Sequence, residues 1–230
     1  MKKLTSMVMS VIVLVTFTAC GSLNQQQLGT LLGAGGGGAL GAGIGALIGK
    51  GKGAAIGGAV GVIAGGVAGT LIGKHMKKKA DEIAAQVDGA RVDTVTDVNG
   101  YTAVKVTFDE GILFAFGKSD LSNSAKNSLN NFAQALITEP NTDVQIYGHT
   151  DNVGSRAAND KVSQQRADNV RNYLMNKGVP STRMTAKGLA YDYPVASNDT
   201  DAGRAQNRRV EVYISANDTM INDANNGNLQ

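Results

Sequence analysis

Apolar residues recur along this chain with four different spacings, and each spacing predicts a different kind of segment. Met7–Val15 is a short apolar run broken only by Ser10, with Lys2 and Lys3 before it and mostly small residues leading up to Cys20. That order is the pattern of a secretory signal over residues 1–19, and the run is too short to span a bilayer as a helix. From Gly29 to Gly73 every fourth residue is glycine, with mostly Ala, Leu, Ile and Val between. Lys50 and Lys52 divide this stripe into two arms, Leu28–Gly49 and Gly53–Gly73, of 22 and 21 residues. Each arm is long enough to cross about 30 Å of hydrocarbon as a helix.

Beyond residue 90 the spacing shortens to two and then alternates with the helical period. Arg91–Val98 and Tyr101–Phe108 alternate apolar and polar residues around Asn99-Gly100, which predicts a β-hairpin. Gly111–Phe116 reads as a further short apolar strand. Ser122 is placed to cap a helix whose apolar face is Ala125, Leu129, Phe132, Ala133 and Leu136, ended by Pro140. Val144, Ile146 and Gly148 mark a buried strand. A second helix follows over Arg156–Lys177, with Val162, Ala167, Val170 and Leu174 inward and Gly178 as its stop. Met184–Gly188 and Arg209–Ile214 supply the last strands. Strands and helices alternate, so residues 91–216 predict an α/β sandwich with helices packed on one face of a mixed sheet. Asn217–Gln230 is polar and without period, which predicts a disordered tail.

The glycine stripe changes the picture of the N-terminal third. Twelve glycines in a helix, at about 1 kcal/mol each relative to alanine, cost roughly 12 kcal/mol in water, more than many domains are stable by. In lipid the backbone must satisfy itself and small residues let helices approach closely. Residues 28–73 are therefore expected to form a membrane hairpin turning at Lys50–Lys52, or a zipper that makes homo-oligomers. A flexible glycine-rich tether is the competing reading. Neither arm carries an acidic residue, which argues against a proton-conducting role. Lys74-His75-Met76-Lys77-Lys78-Lys79 suits anionic head groups or is a solvated charge run, and residues 74–90 read as a basic, then amphipathic, linker.

Charge narrows the function. Without residues 1–19 the chain has 20 basic and 19 acidic residues, which does not suggest a nucleic-acid binder. Cys20 is the only cysteine and has no disulfide partner within the chain. Phe17-Thr18-Ala19-Cys20 resembles a lipobox, which implies acylation of the Cys20 thiol and a lipidated N-terminus over residues 20–27. Acyl chains contribute about 0.8 kcal/mol per buried CH₂, so several on one residue make a firm anchor. Gly21 after the cysteine favours the outer membrane by analogy with proteobacterial sorting.

Gly148-His149-Thr150-Asp151-Asn152-Val153-Gly154, followed by Val162-Ser163-Gln164-Gln165-Arg166-Ala167, resembles the core motif of the OmpA-like C-terminal family. Val195-Ala196-Ser197-Asn198 and Gly203–Glu211 resemble its closing motif, and the likeness covers about residues 105–215. With lipobox and glycine stripe, the whole chain resembles YiaD-type glycine-zipper lipoproteins. The resemblance implies binding of peptidoglycan through the diaminopimelate of its stem peptide, with Asp151 and Arg166 as the central pair. Asn159 and Arg208 match further site positions, Thr150 lies on the same loop, and Gly117 matches a position that offers backbone groups. Ala115 stands where the family commonly has aspartate.

Physical logic runs alongside the resemblance. Diaminopimelate carries an ammonium and a carboxylate on one carbon, so its reader needs an anion and a cation a few ångströms apart. A guanidinium grips a carboxylate through two parallel hydrogen bonds, which lysine does not reproduce. An internal salt bridge is the alternative fate of such a pair. Arg208 and Arg209 are consecutive at a strand start and point to opposite faces, so only one serves the site; Arg208 is the better match and Arg209 braces the fold. An enzyme acting on peptidoglycan is the rival class. The mature chain has only His75 and His149 and no clustered zinc ligands, so no metal and no cofactor are expected. The expected function is a non-catalytic tether between the outer membrane and peptidoglycan, its C-terminal domain in the periplasm. The alternative is a membrane-inserted zipper for which that domain is only a mooring.

Overall fold

The computed structural model describes residues 66–115 and 117–229. The signal segment, Cys20 and the stripe up to residue 65 lie outside the described residues. Helix α1, Gly66–Gln86, opens the described chain. The hairpin follows as β1, Ala90–Thr96, and β2, Thr102–Asp109, paired antiparallel from Ala90 opposite Phe108 to Thr96 opposite Thr102. A helical turn α2, Glu110–Leu113, and helix α3, Asn123–Ile137, lead to β3, Thr142–Gly148. Helix α4, Arg156–Asn176, crosses to β4, Met184–Gly188, parallel to β3. After a long loop come α5, Asp201–Asn207, strand β5, Arg209–Ala216, and α6, Asp218–Asn225. The sheet order is β1-β2-β5-β3-β4, with β5 antiparallel to both neighbours. The mixed α/β architecture is the one the alternating periods predict.

Local chemistry explains the elements. Asp97 turns the hairpin: its Oδ1 accepts from the amides of Asn99 (2.9 Å) and Tyr101 (2.8 Å), and Gly100 supplies φ +82°. Ser122 caps α3 by accepting from Ala125 N at 3.0 Å, and the anticipated apolar face of that helix is buried. On one face of the sheet, Val104, Val106, Phe108, Val144, Ile146, Val210, Val212 and Ile214 form a single core with α1, α3, α4 and α6.

Four sequence expectations need correction. Gly66–Gly73, assigned to the second membrane arm, is instead the first two turns of α1. Ala68, Ile72, Met76, Ala80 and Ile83 recur at helical spacing and are buried in the core, so this face is matched to the protein and not to lipid. The stretch 74–90 is accordingly no linker: within it His75 Nε2 meets Glu139 Oε1 at 2.9 Å and Lys79 meets Glu82 (2.7 Å) and Glu139 (3.5 Å). Asn217–Gln230 is not a disordered tail. Asn217 caps α6, and Met220 and Ala224 are fully buried in the core beside α1. Of the strand expected over Gly111–Phe116, the described residues 111–115 do not form one: Glu110–Leu113 is a helical turn, and Ile112, Leu113 and Phe114 all pack toward one core, which a strand's alternation forbids.

Candidate ligand-binding site

The site forms where the ends of β2, β3 and α5 meet the first turns of α4. β3 and β4 end in Gly148 and Gly188, which are paired across the two strands. A Cβ on Gly148 would run into the backbone carbonyl of Ser163, and one on Gly188 into the amide of Gln164. Both glycines therefore let α4 lie directly on the sheet, which delivers Arg166 to the strand ends. Beyond β3 the chain is held by His149 N to Arg209 O and Thr150 N to Ala190 O, both 2.9 Å. Asp151 follows at the loop start, its Oδ1 accepting from Val153 N at 3.0 Å. Ser155 then caps α4.

All six residues expected at the site line one cavity of about 500 Å³: Gly117, Thr150, Asp151, Asn159, Arg166 and Arg208. Ala167, Val170 and Leu174 are buried in the core as expected, whereas Val162, also expected inward, is half-buried in this wall and Ser163 and Arg166 are buried beside it. Thr150 Oγ1 is buried and makes no hydrogen bond. Asn159 Nδ2 donates to the carbonyls of Val153 (3.0 Å) and Ser155 (3.3 Å), so its amide tightens the Asp151 loop.

The charges are wired differently from the expected Asp151–Arg166 opposition. Arg208 Nη1 donates to Asp151 Oδ2 at 2.7 Å and its Nε to Glu110 Oε2 at 2.5 Å. Arg166 donates through Nη2 to Glu110 Oε1 and through Nε to Lys118 O at 3.0 Å, with its guanidinium 5.2 Å from the Phe114 ring centre. Burial works against the Arg208 charge, but its hydrogen bonds to Asp151 and Glu110 more than offset this and hold its pKa above the ordinary arginine value. Glu110 escaped the sequence reading. It stands at the end of an alternating strand with no motif around it, and its two partners lie 56 and 98 residues away. With Asp201 and Arg204 at the same cavity, three arginines face three carboxylates.

Arg209 turns the other way, as its parity requires. It is buried on the opposite face of the sheet, donating to Glu211 Oε1 (2.8 Å) and to the carbonyls of Asn207 and Tyr193 (both 3.1 Å). His149 lies behind the site, fully buried with neither ring nitrogen hydrogen-bonded; burial pulls its pKa down to about 3. Asn207, also unremarked in the sequence, is fully buried and pins the 195–198 loop through the amides of Val195 and Ala196 and the carbonyl of Ala196.

A sequence model of the OmpA family matches residues 113–208, and one of the YMGG-like Gly-zipper matches residues 1–77. Residues 113–208 thus carry an OmpA-family domain. The residues matched by that family span most of the cavity's lining, from Gly117 to Arg208. The chain is 42% identical over 113 residues to outer membrane porin F of Pseudomonas fluorescens, covering 49% of this chain and 34% of the porin. It is 40% identical over 110 residues to the probable lipoprotein YiaD of Escherichia coli, covering 48% of each. It thus spans between a third and a half of the length of these curated relatives. Among solved structures it is similar to the cell wall anchor of the T6SS from Pseudomonas aeruginosa, at 31% identity and a TM-score of 0.51, covering 61% of this chain and 96% of that one.

Proposed function

We propose that this chain is a non-catalytic envelope lipoprotein, held in the outer membrane through acylated Cys20, that grips peptidoglycan by the diaminopimelate of its stem. One observation carries the reading: a cavity of about 500 Å³ whose wall brings arginines and carboxylates within a few ångströms of each other. A zwitterionic carbon bearing both an ammonium and a carboxylate needs that juxtaposition. Asp151 is assigned the ammonium and Arg166 the carboxylate, with Arg208 beside them. The unpaired Thr150 hydroxyl supplies a further hydrogen bond to a bound stem. Likeness to a protein described as a cell wall anchor, and to one described as a probable lipoprotein, supports both halves of the reading.

The test is a pull-down of the purified chain, in detergent, on isolated sacculi. The chain should sediment with them, be released by free meso-diaminopimelate, and liberate no muropeptides. Sedimentation unaffected by diaminopimelate would refute the assignment of the ligand, and released muropeptides would refute the non-catalytic reading.

A further inference from the structure

Glu110 takes up the donors on which a bound carboxylate would depend. Its Oε1 accepts from Arg166 Nη2 and lies 3.4 Å from the Gly117 amide, and its Oε2 accepts from Arg208 Nε. Those are three of the six residues assigned to the ligand, and they converge on one internal carboxylate. Glu110 is held in place at both ends of its backbone unit: its amide donates to Arg208 O at 2.9 Å and its carbonyl accepts from Phe114 N at 2.7 Å. The side chain is 7% exposed, so it meets the arginines in a largely dry setting.

A guanidinium has a limited set of donor directions. Arg166 spends Nε on the Lys118 carbonyl and Nη2 on Glu110. Arg208 spends Nε on Glu110 and Nη1 on Asp151. An incoming carboxylate therefore meets two arginines that each already have two donor nitrogens engaged, one of them on Glu110 in both cases.

We propose that Glu110 is a built-in competitor: a carboxylate that occupies the ligand-carboxylate seat in the free protein and is displaced when a stem binds. The proposal rests on the diaminopimelate reading above and adds the event that accompanies binding. Once displaced, the Glu110 carboxylate is a second anion close to the incoming ammonium, beside Asp151. Two carboxylates and two guanidiniums then surround a neutral zwitterion, so the exchange leaves the charge of the pocket balanced. A further consequence concerns selectivity: a group without charge does not replace a carboxylate between two guanidiniums, so Glu110 discriminates against stems that lack one.

When a binding-competent state is only fractionally populated, the apparent affinity falls by that fraction. Glu110→Gln keeps the size of the side chain and removes its charge, so the full chain carrying it should bind meso-diaminopimelate about tenfold tighter if the seat is open about a tenth of the time. Glu110→Asp, one methylene shorter and unable to bridge both arginines, should also tighten binding. Calorimetric titration with meso-diaminopimelate alone, with melting curves to verify folding, reads the effect. In the unaltered chain the ¹³C signal of the Glu110 carboxylate should move on addition of diaminopimelate, a measurement that needs no variant. Tighter binding together with a moving signal supports displacement. Equal or weaker binding by folded variants, or a stationary signal at saturation, means that Glu110 positions the arginines and overturns the proposal while leaving the ligand reading intact. No binding by any form overturns both.

Discussion

Arg208 Nη1 donates to Asp151 Oδ2 across 2.7 Å, so the loop carboxylate is paired with the arginine that precedes β5 and not with the one on α4. The pair joins segments 57 residues apart and closes the cavity between the β3 loop and the end of α5. Asp151→Asn keeps the shape and leaves Arg208 its bond to Glu110, so the variant should melt near the parent. Losing one partner of a desolvated charge pair costs about 2–5 kcal/mol, roughly thirtyfold or more in affinity. Sacculus binding by Asp151→Asn should fall by that factor, and titration against diaminopimelate measures it.

Arg166→Lys should lose binding comparably while retaining the charge, because one ammonium cannot hold Lys118 O and a bidentate carboxylate together. Since Arg166 is buried, this variant should also melt below the parent. The parent should prefer stems with a free diaminopimelate carboxylate over amidated stems. Equal affinities in paired titrations would refute the assignment of Arg166.

His149 predicts an acid-side loss of stability. In the unfolded chain its imidazole takes a proton near pH 6.5, whereas burial delays this to about pH 3 in the folded protein. The unfolded state binds more protons in that window, so stability falls as pH drops through it, by at most about 1.4 kcal/mol per pH unit. Asp97 works in the opposite direction: burial pushes its carboxyl up to about 6, so its contribution grows as pH falls through 6. Urea midpoints of the parent and of His149→Leu, compared between pH 6.5 and 5, separate the two groups. The parent should lose more stability than the variant over that range.

Helix α1 should prove integral to the folded domain. Ile72 and Met76 are fully buried, so Ile72→Ala should destabilise by about 2–5 kcal/mol in urea unfolding. A fragment beginning at residue 91 should be less stable than one beginning at residue 66, because it leaves the core face under α1 bare. Similar urea midpoints for the two fragments would refute this.

Cys20→Ser should abolish incorporation of labelled fatty acid and leave an unprocessed precursor. Label still entering the variant would exclude Cys20 as the acylated residue.

What the sequence determined by itself is whatever depends on short-range period. The hairpin at Asn99-Gly100 and the α3 face from Ala125 to Leu136 follow from the pitch of strand and helix, which a window of a dozen residues displays. The six candidate residues were picked out by motif, and the fold gathers them along one cavity. Helix α1 was hidden because its buried face, Ala68 to Ile83, runs through a glycine stripe and a basic cluster whose composition points elsewhere. Helix α6 was hidden because Met220 and Ala224 are too few to show a period, and they are buried beside α1, more than 130 residues earlier in the chain. Tertiary structure alone decided the wiring of the site. Which carboxylate reaches which guanidinium is settled by Coulomb attraction and desolvation among groups brought together by the fold, and Glu110 meets Arg166 and Arg208 only after β2, α4 and β5 have docked.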